Sequence, residues 1–349
     1  MQPLCEQGHW FTFYLLDGFA LHGFSSATEV LRLANDVAGR VLYQWRVVSK
    51  DGKPVMSSCG MSIAADSALS NEREWPSKIE QPRMVVVCGG LALPPVDRAL
   101  EAWLRMCRRS RVPLAGLVGG LYSLARTGLL DGRRCAVHWQ HYPDFSERFF
   151  EAKACQTTFE TDDSLYTCSG GSAAFDMFLG VASADFGQEV ANRICEVALL
   201  DRVREAGERQ RLPLQTRVGI DNALLIKIIE RMEANLGEPW NLNEISLGIG
   251  LSRRQVERMF RREMGWSPAR YYLNMRLERA HLLLVNSSLP VFEIAVACGF
   301  CSASHFSRTY RDTYGSTPQQ TRIAAMERHR PAKPSSAERH RAAQESRVA

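Results

Sequence analysis

The sequence predicts two units of different class. Residues 1–205 read as a doubly wound, mostly parallel α/β sheet, and residues 220–326 as an all-α unit built from two helix-turn-helix repeats. Three observations lead there. In the front, short apolar runs of strand length alternate with amphipathic helices, the pattern of strands buried on both faces. In the back, one stretch says the same thing twice. Charge divides at the same place: residues 1–216 carry 23 Lys and Arg against 25 Asp and Glu, and the remainder carry 20 against 13. Of 349 residues, enough for two domains, only the back half is basic.

The front elements follow in order. Trp10–Leu16 (WFTFYLL) is strand-like, and Ser25–Ala38 carries Val30, Leu31, Leu33 and Val37 at helical spacing. Trp45–Ser49 and Arg83–Cys88 are further strands, the second running into Gly89-Gly90. Leu93–Cys107 reads as a helix opened by Pro94. Leu114–Val118 is a buried strand that meets Gly119-Gly120 and a helix to Arg126. Cys135–His138 is a strand, Pro143–Phe150 a helix, and Tyr166–Cys168 a strand leading through Gly170-Gly171 into a helix that ends near Phe186. Asp185–Glu208 is rich in helix formers, with Val190, Ile194, Val197, Leu200 and Val203 at apolar spacings suited to covering the sheet or to dimerisation. Residues 206–219, with Pro213, read as a linker.

In such sheets ligands sit at the carboxyl ends of strands, where glycine turns let backbone approach. The turns at Val87–Gly90, Val118–Gly120 and Ser169–Gly171 are therefore the expected pocket walls. Taken singly, each glycine is better explained as a tight turn. None has the spacing of a dinucleotide or P-loop site, so no cofactor is expected.

The back begins with a helix at Asn222–Leu236. The duplicated unit follows. Glu244 to Pro268 reads EISLGIGLSRRQVERMFRREMGWSP, and Glu293 to Pro318 reads EIAVACGFCSASHFSRTYRDTYGSTP. Glu244-Ile245, Gly250, Arg258, Arg261, Gly265 and Pro268 recur as Glu293-Ile294, Gly299, Arg308, Arg311, Gly315 and Pro318. Each copy is a short helix, a glycine turn, an N-capping Ser252 or Ser302, and a second helix whose core side holds Val256 and Phe260, or Phe306 and Tyr310. This is a helix-turn-helix, whose second helix is shaped for a major groove. Between the copies, Ala269–Val285 is helical, with Tyr272, Met275, Leu277, Leu282 and Leu283 as its apolar stripe. Its length, on the order of 25 Å, suits a rod that holds two reading helices about one DNA turn apart.

The faces opposite the core carry Arg253, Arg254, Gln255, Arg258, Arg261 and Arg262 in the first copy, and Ser302, Ser304, His305, Arg308 and Arg311 in the second. Arg and Gln near a helix start suit guanine and adenine edges, and later arginines suit phosphates. A basic helix face can equally serve solubility; it is the repeat that favours double-stranded DNA as partner. The ten cysteines are scattered. Cys298-x-x-Cys301 could be half of a zinc or redox site, but no second pair lies near it and Cys298 falls on an apolar helix face, so packing is the expectation and no metal is expected. Without a signal peptide or an uncharged run of membrane length, the expected location is cytoplasmic. The end from Glu327, rich in Arg, Ala and Ser, reads as a disordered basic tail.

Residues from about Leu224 to Arg322 closely resemble the AraC/XylS class of bacterial transcription regulators, most specifically in IAVACGFCSASHFSRTYRDTYGSTPQQTR. The resemblance implies promoter binding, usually activation, with RNA polymerase as a further partner and a homodimer as the working form. The front resembles the PfpI-like, class I glutamine-amidotransferase-like domain, of flavodoxin-like order. The points of match are VVVCGGLA (Val85–Ala92), Leu114–Trp139 and TCSGGSAAFDMFLGVA (Thr167–Ala182). Enzymes of that fold hold a nucleophilic Cys on the turn after the strand matched by Leu114–Val118; here the position is Val118, which has no lone pair to attack with. The acid of their first helix falls at Gly23 or its neighbour. No catalytic residue is therefore expected. The resemblance implies a sensor, with Gly89, Gly90, Val118, Gly119, His138, Trp139, Ser169 and Gly170 assembling the effector pocket. Effectors in this subfamily are often amino acids, betaines or other small nitrogenous metabolites, and the regulated genes an adjacent catabolic operon. The rival readings are an amidotransferase or hydrolase tethered to DNA, and a front domain that only dimerises.

Overall fold

The computed structural model describes residues 8–72 and 81–328. The chain opens with β1 (His9–Leu15), α1 (Leu21–Ala38) and β2 (Tyr43–Ser49). Three two-residue strands follow, β3 (Val55–Met56), β4 (Ser62–Ile63) and β5 (Ser67–Ala68). The central strands are β6 (Met84–Cys88) and β7 (Leu114–Leu117), with α2 (Arg98–Arg109) between them and α3 (Gly120–Ala125) after. Then come β8 (Arg134–Ala136), α4 (Tyr142–Arg148), β9 (Lys153–Cys155), β10 (Phe159–Asp162) and β11 (Leu165–Cys168). Helices α5 (Ala173–Phe186) and α6 (Gln188–Val197) close the front unit.

Seven strands form one sheet in the order β10-β11-β7-β6-β1-β2-β5. Every pairing in it is parallel except β10 with β11. The reason is legible in the strands. Phe11, Phe13 and Leu15 of β1, with Met84, Val86 and Cys88 of β6, face a core shared with α1, α5 and α6. Tyr14, Val85 and Val87 point the other way, into a core shared with α2 and α3. Both faces are covered by helices, which is where parallel strands are stable.

Four expectations need correction. The helix expected from Leu93 starts only at Arg98, because Pro94 and Pro95 precede a better cap: Asp97 accepts from the amides of Ala99 and Leu100. The strand expected at Cys135–His138 is shorter and pairs with β9 in a separate two-stranded parallel ribbon, not in the main sheet. The helical run expected to Glu208 stops at Val197, after Ala191 and Ile194 have found the core; Val197, Leu200 and Val203 are exposed. Residues 206–219 are not a plain linker. Gly207 to Gln210 bond along the β9–β10 edge, and α7 (Leu214–Val218) follows.

The back unit is helical throughout: α8 (Ala223–Ala234), α9 (Leu242–Leu247), α10 (Arg253–Met264), α11 (Pro268–Asn286), α12 (Val291–Ala297), α13 (Ala303–Tyr314) and α14 (Pro318–Arg328). It has two small cores. Val256 and Phe260 of α10 pack with α8 and Ile245, and Phe306 and Tyr310 of α13 pack with α12 and Leu277, Ala280 and Leu283 of α11. Past Arg328 the expected basic tail lies outside the described residues. No described helix is long and apolar enough to cross a membrane.

Candidate DNA-reading surface and sensor site

Each reading helix is set by its caps. Ser252 accepts from the Gln255 amide while the Gln255 side chain accepts from the Ser252 amide, a reciprocal capping box at the start of α10. Asn241 and Glu244 do the same for α9. In α13 Ser302 accepts from the His305 amide. Both reading helices end in left-handed glycines, Gly265 (φ 71°) and Gly315 (φ 72°), the conformation glycine adopts at no steric cost. The glycine turns within the two units are alike as well, Gly250 at φ 72° and Gly299 at φ 73°.

All eleven expected DNA-facing residues are on the surface. They are not equally free. Arg253 pairs with Glu257 at 3.0 Å and Arg262 with Glu263 at 2.6 Å. The Gln255 amide is spent on the cap. Arg254, Arg258, Arg308 and Arg311 have no ion pair among the described residues, and Ser304 and His305 stand exposed beside them. The Ser252-x-x-Gln255 spacing was itself a sign that Gln255 belongs to a cap.

One residue outside the expected set ties α11 to the second turn. Arg276, on α11, donates to the carbonyls of Cys298 (2.8 Å) and Gly299 (2.6 Å), and its guanidinium lies 4.3 Å from the centre of the Phe300 ring. Those carbonyls end α12 and make the second turn, so one cation caps a helix terminus and fixes the turn. Cys298 is buried, as expected for packing, and burial pushes its thiol up to about 12. Cys301 is exposed, and no cluster of metal-ligating side chains occurs among the described residues.

At the sheet, the turn after β7 is strained. Val118 has φ +52°, a left-handed conformation that a β-branched residue adopts only under constraint. The constraint is local: its amide donates to the Cys168 carbonyl (3.0 Å), and its carbonyl accepts from Leu121 (3.3 Å). Gly170 (φ +94°) faces it, and a Cβ there would lie 2.1 Å from Val118 Cγ2. Gly89, Gly90, Gly119 and Gly120 pack backbone against backbone; a Cβ on Gly89 would sit 2.3 Å from the Gly120 nitrogen. Gly23, which with its neighbour is the expected place of the enzymes' acid, has no side chain and lies against Gly171. Cys88 and Cys168 are buried at the ends of β6 and β11, on either side of β7, and burial raises both thiols, Cys168 to about 12. Neither is a thiolate near neutral pH.

Of the eight expected pocket residues, Gly89, Gly90, Val118, Gly119 and Ser169 are buried, and Ser169 spends its hydroxyl on the Thr158 carbonyl (2.9 Å). His138, Trp139 and Gly170 are partly exposed. Burial, and then the neighbouring His141, hold His138 near pKa 4, a neutral imidazole. His141 is buried with Nε2 bonded to the Leu91 carbonyl (2.8 Å) and Nδ1 without a partner. A cavity of about 600 Å³ opens one step beyond the Gly170-Gly171 turn, between α1, α5 and residues 197–204. Its walls include His22, Glu29, Phe175, Asp176, Arg32 and Arg204. Asp176 is nearly buried, and it accepts from the Arg204 amide (3.1 Å) and guanidinium (2.7 Å).

Comparison with known proteins agrees with both halves. Residues 11–184 match the DJ-1/PfpI family and residues 246–324 a helix-turn-helix domain. The chain is 38% identical over 311 residues to the HTH-type transcriptional regulator GbdR of Pseudomonas aeruginosa, covering 89% of this chain and 83% of that one. It belongs to the AraC-type transcriptional regulators that carry a DJ-1/PfpI domain. The HTH-type transcriptional regulator CdhR of the same organism is 38% identical over 312 residues (89% and 91% covered). The HTH-type transcriptional regulator GlxA of Rhizobium meliloti is 33% identical over 314 residues (89% and 94%). The likeness runs through both domains of this regulator.

Proposed function

We propose that the regulator activates transcription of a neighbouring catabolic operon when a small nitrogenous metabolite, an amino acid or a betaine-like molecule, occupies its front domain. The front domain does no chemistry of its own. The observation that carries this reading is Val118: the elbow keeps its strained geometry, yet the side chain there cannot attack a carbonyl, and the two nearby thiols are buried and protonated. The effector enters from the side of His138, Trp139 and Gly170 and from the adjoining cavity. There Glu29 pairs with Arg32 (2.5 Å) and Asp176 with Arg204 (2.6 Å), ion pairs with which an ammonium and a carboxylate of the effector would exchange partners. Binding shifts the DNA-binding state only if the effector favours one conformation over another. The working form is a homodimer that meets RNA polymerase at the promoter.

A thermal-shift screen of amino acids and betaines on the full chain tests the sensor. A raised Tm for a subset of them is expected, and a silent screen on folded protein would leave the front domain a dimerisation unit only. An amidase assay tests the rival enzyme reading. Turnover that disappears in Cys88→Ser or Cys168→Ser would overturn the claim that this domain is inert.

A further inference from the structure

Between the sheet domain and the helical domain runs a strap that is bonded to the sensor side along its whole first half. The Gly207 amide donates to the Phe159 carbonyl (3.2 Å), the Thr158 amide to the Glu208 carbonyl (2.7 Å), and the Gln210 amide to the Gln156 carbonyl (3.3 Å). Thr157 and Arg209 form an antiparallel bridge. The chain has in effect added an edge strand beside β10 before it crosses to α7.

Gln210 does more than pair its backbone. Its Oε1 accepts from the Trp139 amide (2.9 Å), and its Nε2 donates to the carbonyls of Val137 and Thr157 (2.7 Å each). One planar amide thus ties three main-chain groups in two loops. The next residue, Arg211, lays its guanidinium 4.7 Å from the centre of the Trp139 ring. The charges that act on Arg211 are Arg217 on α7, and Glu233 and Glu278 on α8 and α11 of the DNA-binding domain. Arg217 in turn pairs with Glu233 at 3.1 Å.

The loop that Gln210 holds, residues 137–141, lies between the sensor turns and the helical domain. Its His141 is bonded to Leu91, just past the Gly89-Gly90 turn. It continues directly into α4, whose Arg148 donates to Ser288 Oγ (2.6 Å) and whose Glu147 lies 3.6 Å from Arg279 of α11. The same loop therefore reaches the DNA-binding domain by two routes, through α4 and through the strap.

We propose that Gln210 is the positioning residue that couples the two domains: it locks the 137–141 loop to the strap, so that the state of the sensor turns sets the placement of the reading helices. This rests on the regulatory reading above and names the regulation of its site. An alanine or methionine at position 210 keeps the edge-strand backbone but releases the loop.

The test is a distance measurement on the full chain without DNA or effector. Nitroxide labels go on Cys59 in the sheet domain and Cys301 beside the second reading helix, both exposed. Cys5, Cys155 and Cys195 are replaced by Ala, and the labelled chain is diluted with an excess of unlabelled chain. A single narrow distance distribution is expected for the parent. Gln210→Met is expected to broaden and shift it, together with faster hydrogen exchange at the Trp139 amide. Arg211→Ala, a surface change that spares the fold, is expected to move the distribution the same way. It decides the matter alone if Gln210→Met does not fold. Faster exchange at Trp139 with an unchanged distribution would show Gln210 to be a local brace and overturn the proposal, as would an unchanged distribution in Arg211→Ala. Failure of the regulatory reading shows elsewhere, as a parent chain that binds no promoter DNA.

Discussion

Val118 and Gly170 share one small volume. A Cβ at position 170 would meet Val118 Cγ2 at 2.1 Å on a backbone already at φ +94°. Gly170→Ala is therefore expected to cost about 3 kcal/mol, the sum of backbone strain and overpacking. Val118→Ala removes the clashing methyl but not the strain. A double-mutant cycle by urea unfolding should show a favourable coupling of at least about 1 kcal/mol; strict additivity would mean the two do not touch. His138 gives a pH signature. Its folded pKa, about 4, lies below the ordinary 6.5, chiefly because it is buried. The unfolded chain then binds the proton first, so stability is present above pH 6.5 and is lost as pH falls toward 4, by up to about 3 kcal/mol. Unfolding of His138→Gln measured across that window should show a flatter profile. At this scale the valine on the turn after β7 was plain in the sequence. The positive φ of Val118 and the buried, half-satisfied His141 were not, because both depend on strands far apart in the chain meeting at one elbow.

The helical elements were the most legible, and capping chemistry is why. Serines, glycines and prolines recur at matching positions in both repeats, so helix starts and stops are encoded locally. The short strands β9 and β10 were not legible. Residues 156–159, where the one ends and the other begins, bond to the 207–210 strap, which has no strand pattern of its own and makes backbone bonds that any sequence could make. Arg276 was hidden for a related reason: an arginine on an otherwise mixed helix gives no sign that its partners are carbonyls 22 and 23 residues away. Arg276→Met keeps the stem and removes the donors. It should lower stability by about 1–3 kcal/mol. It should also raise hydrogen exchange in α12 and its turn while leaving α9 and α10 protected. Equal loosening of both units would show that Arg276 does not single out the second.

Over the whole molecule, charge and geometry divide the labour. The sheet domain is close to neutral and the helical domain carries the excess of cations, so attraction to DNA is confined to the end that reads it. Helix α11, 19 residues and about 28 Å long, sets the spacing between the two reading helices. If both engage one face of a duplex, footprinting should protect two successive major grooves, about 34 Å apart. Protection of a single turn would mean that only one unit binds. The free arginines then differ in role by position. Arg254 lies at the start of α10, where side chains reach base edges, and Arg308 lies in the middle of α13, where they meet phosphate. Arg254→Ala should weaken binding by about 1–3 kcal/mol on the parent site and relax preference at one base pair. Arg308→Ala should weaken all sequences alike and reduce the slope of log K against log salt by about 0.9, one phosphate's share. The first copy has lost Arg253, Gln255 and Arg262 to ion pairs and a cap, so its apparent advantage in arginines shrinks to Arg254, Arg258 and Arg261. The two copies should then contribute comparably, and base-specific losses from Arg254→Ala and His305→Ala should fall within about tenfold of each other, or about 1.4 kcal/mol.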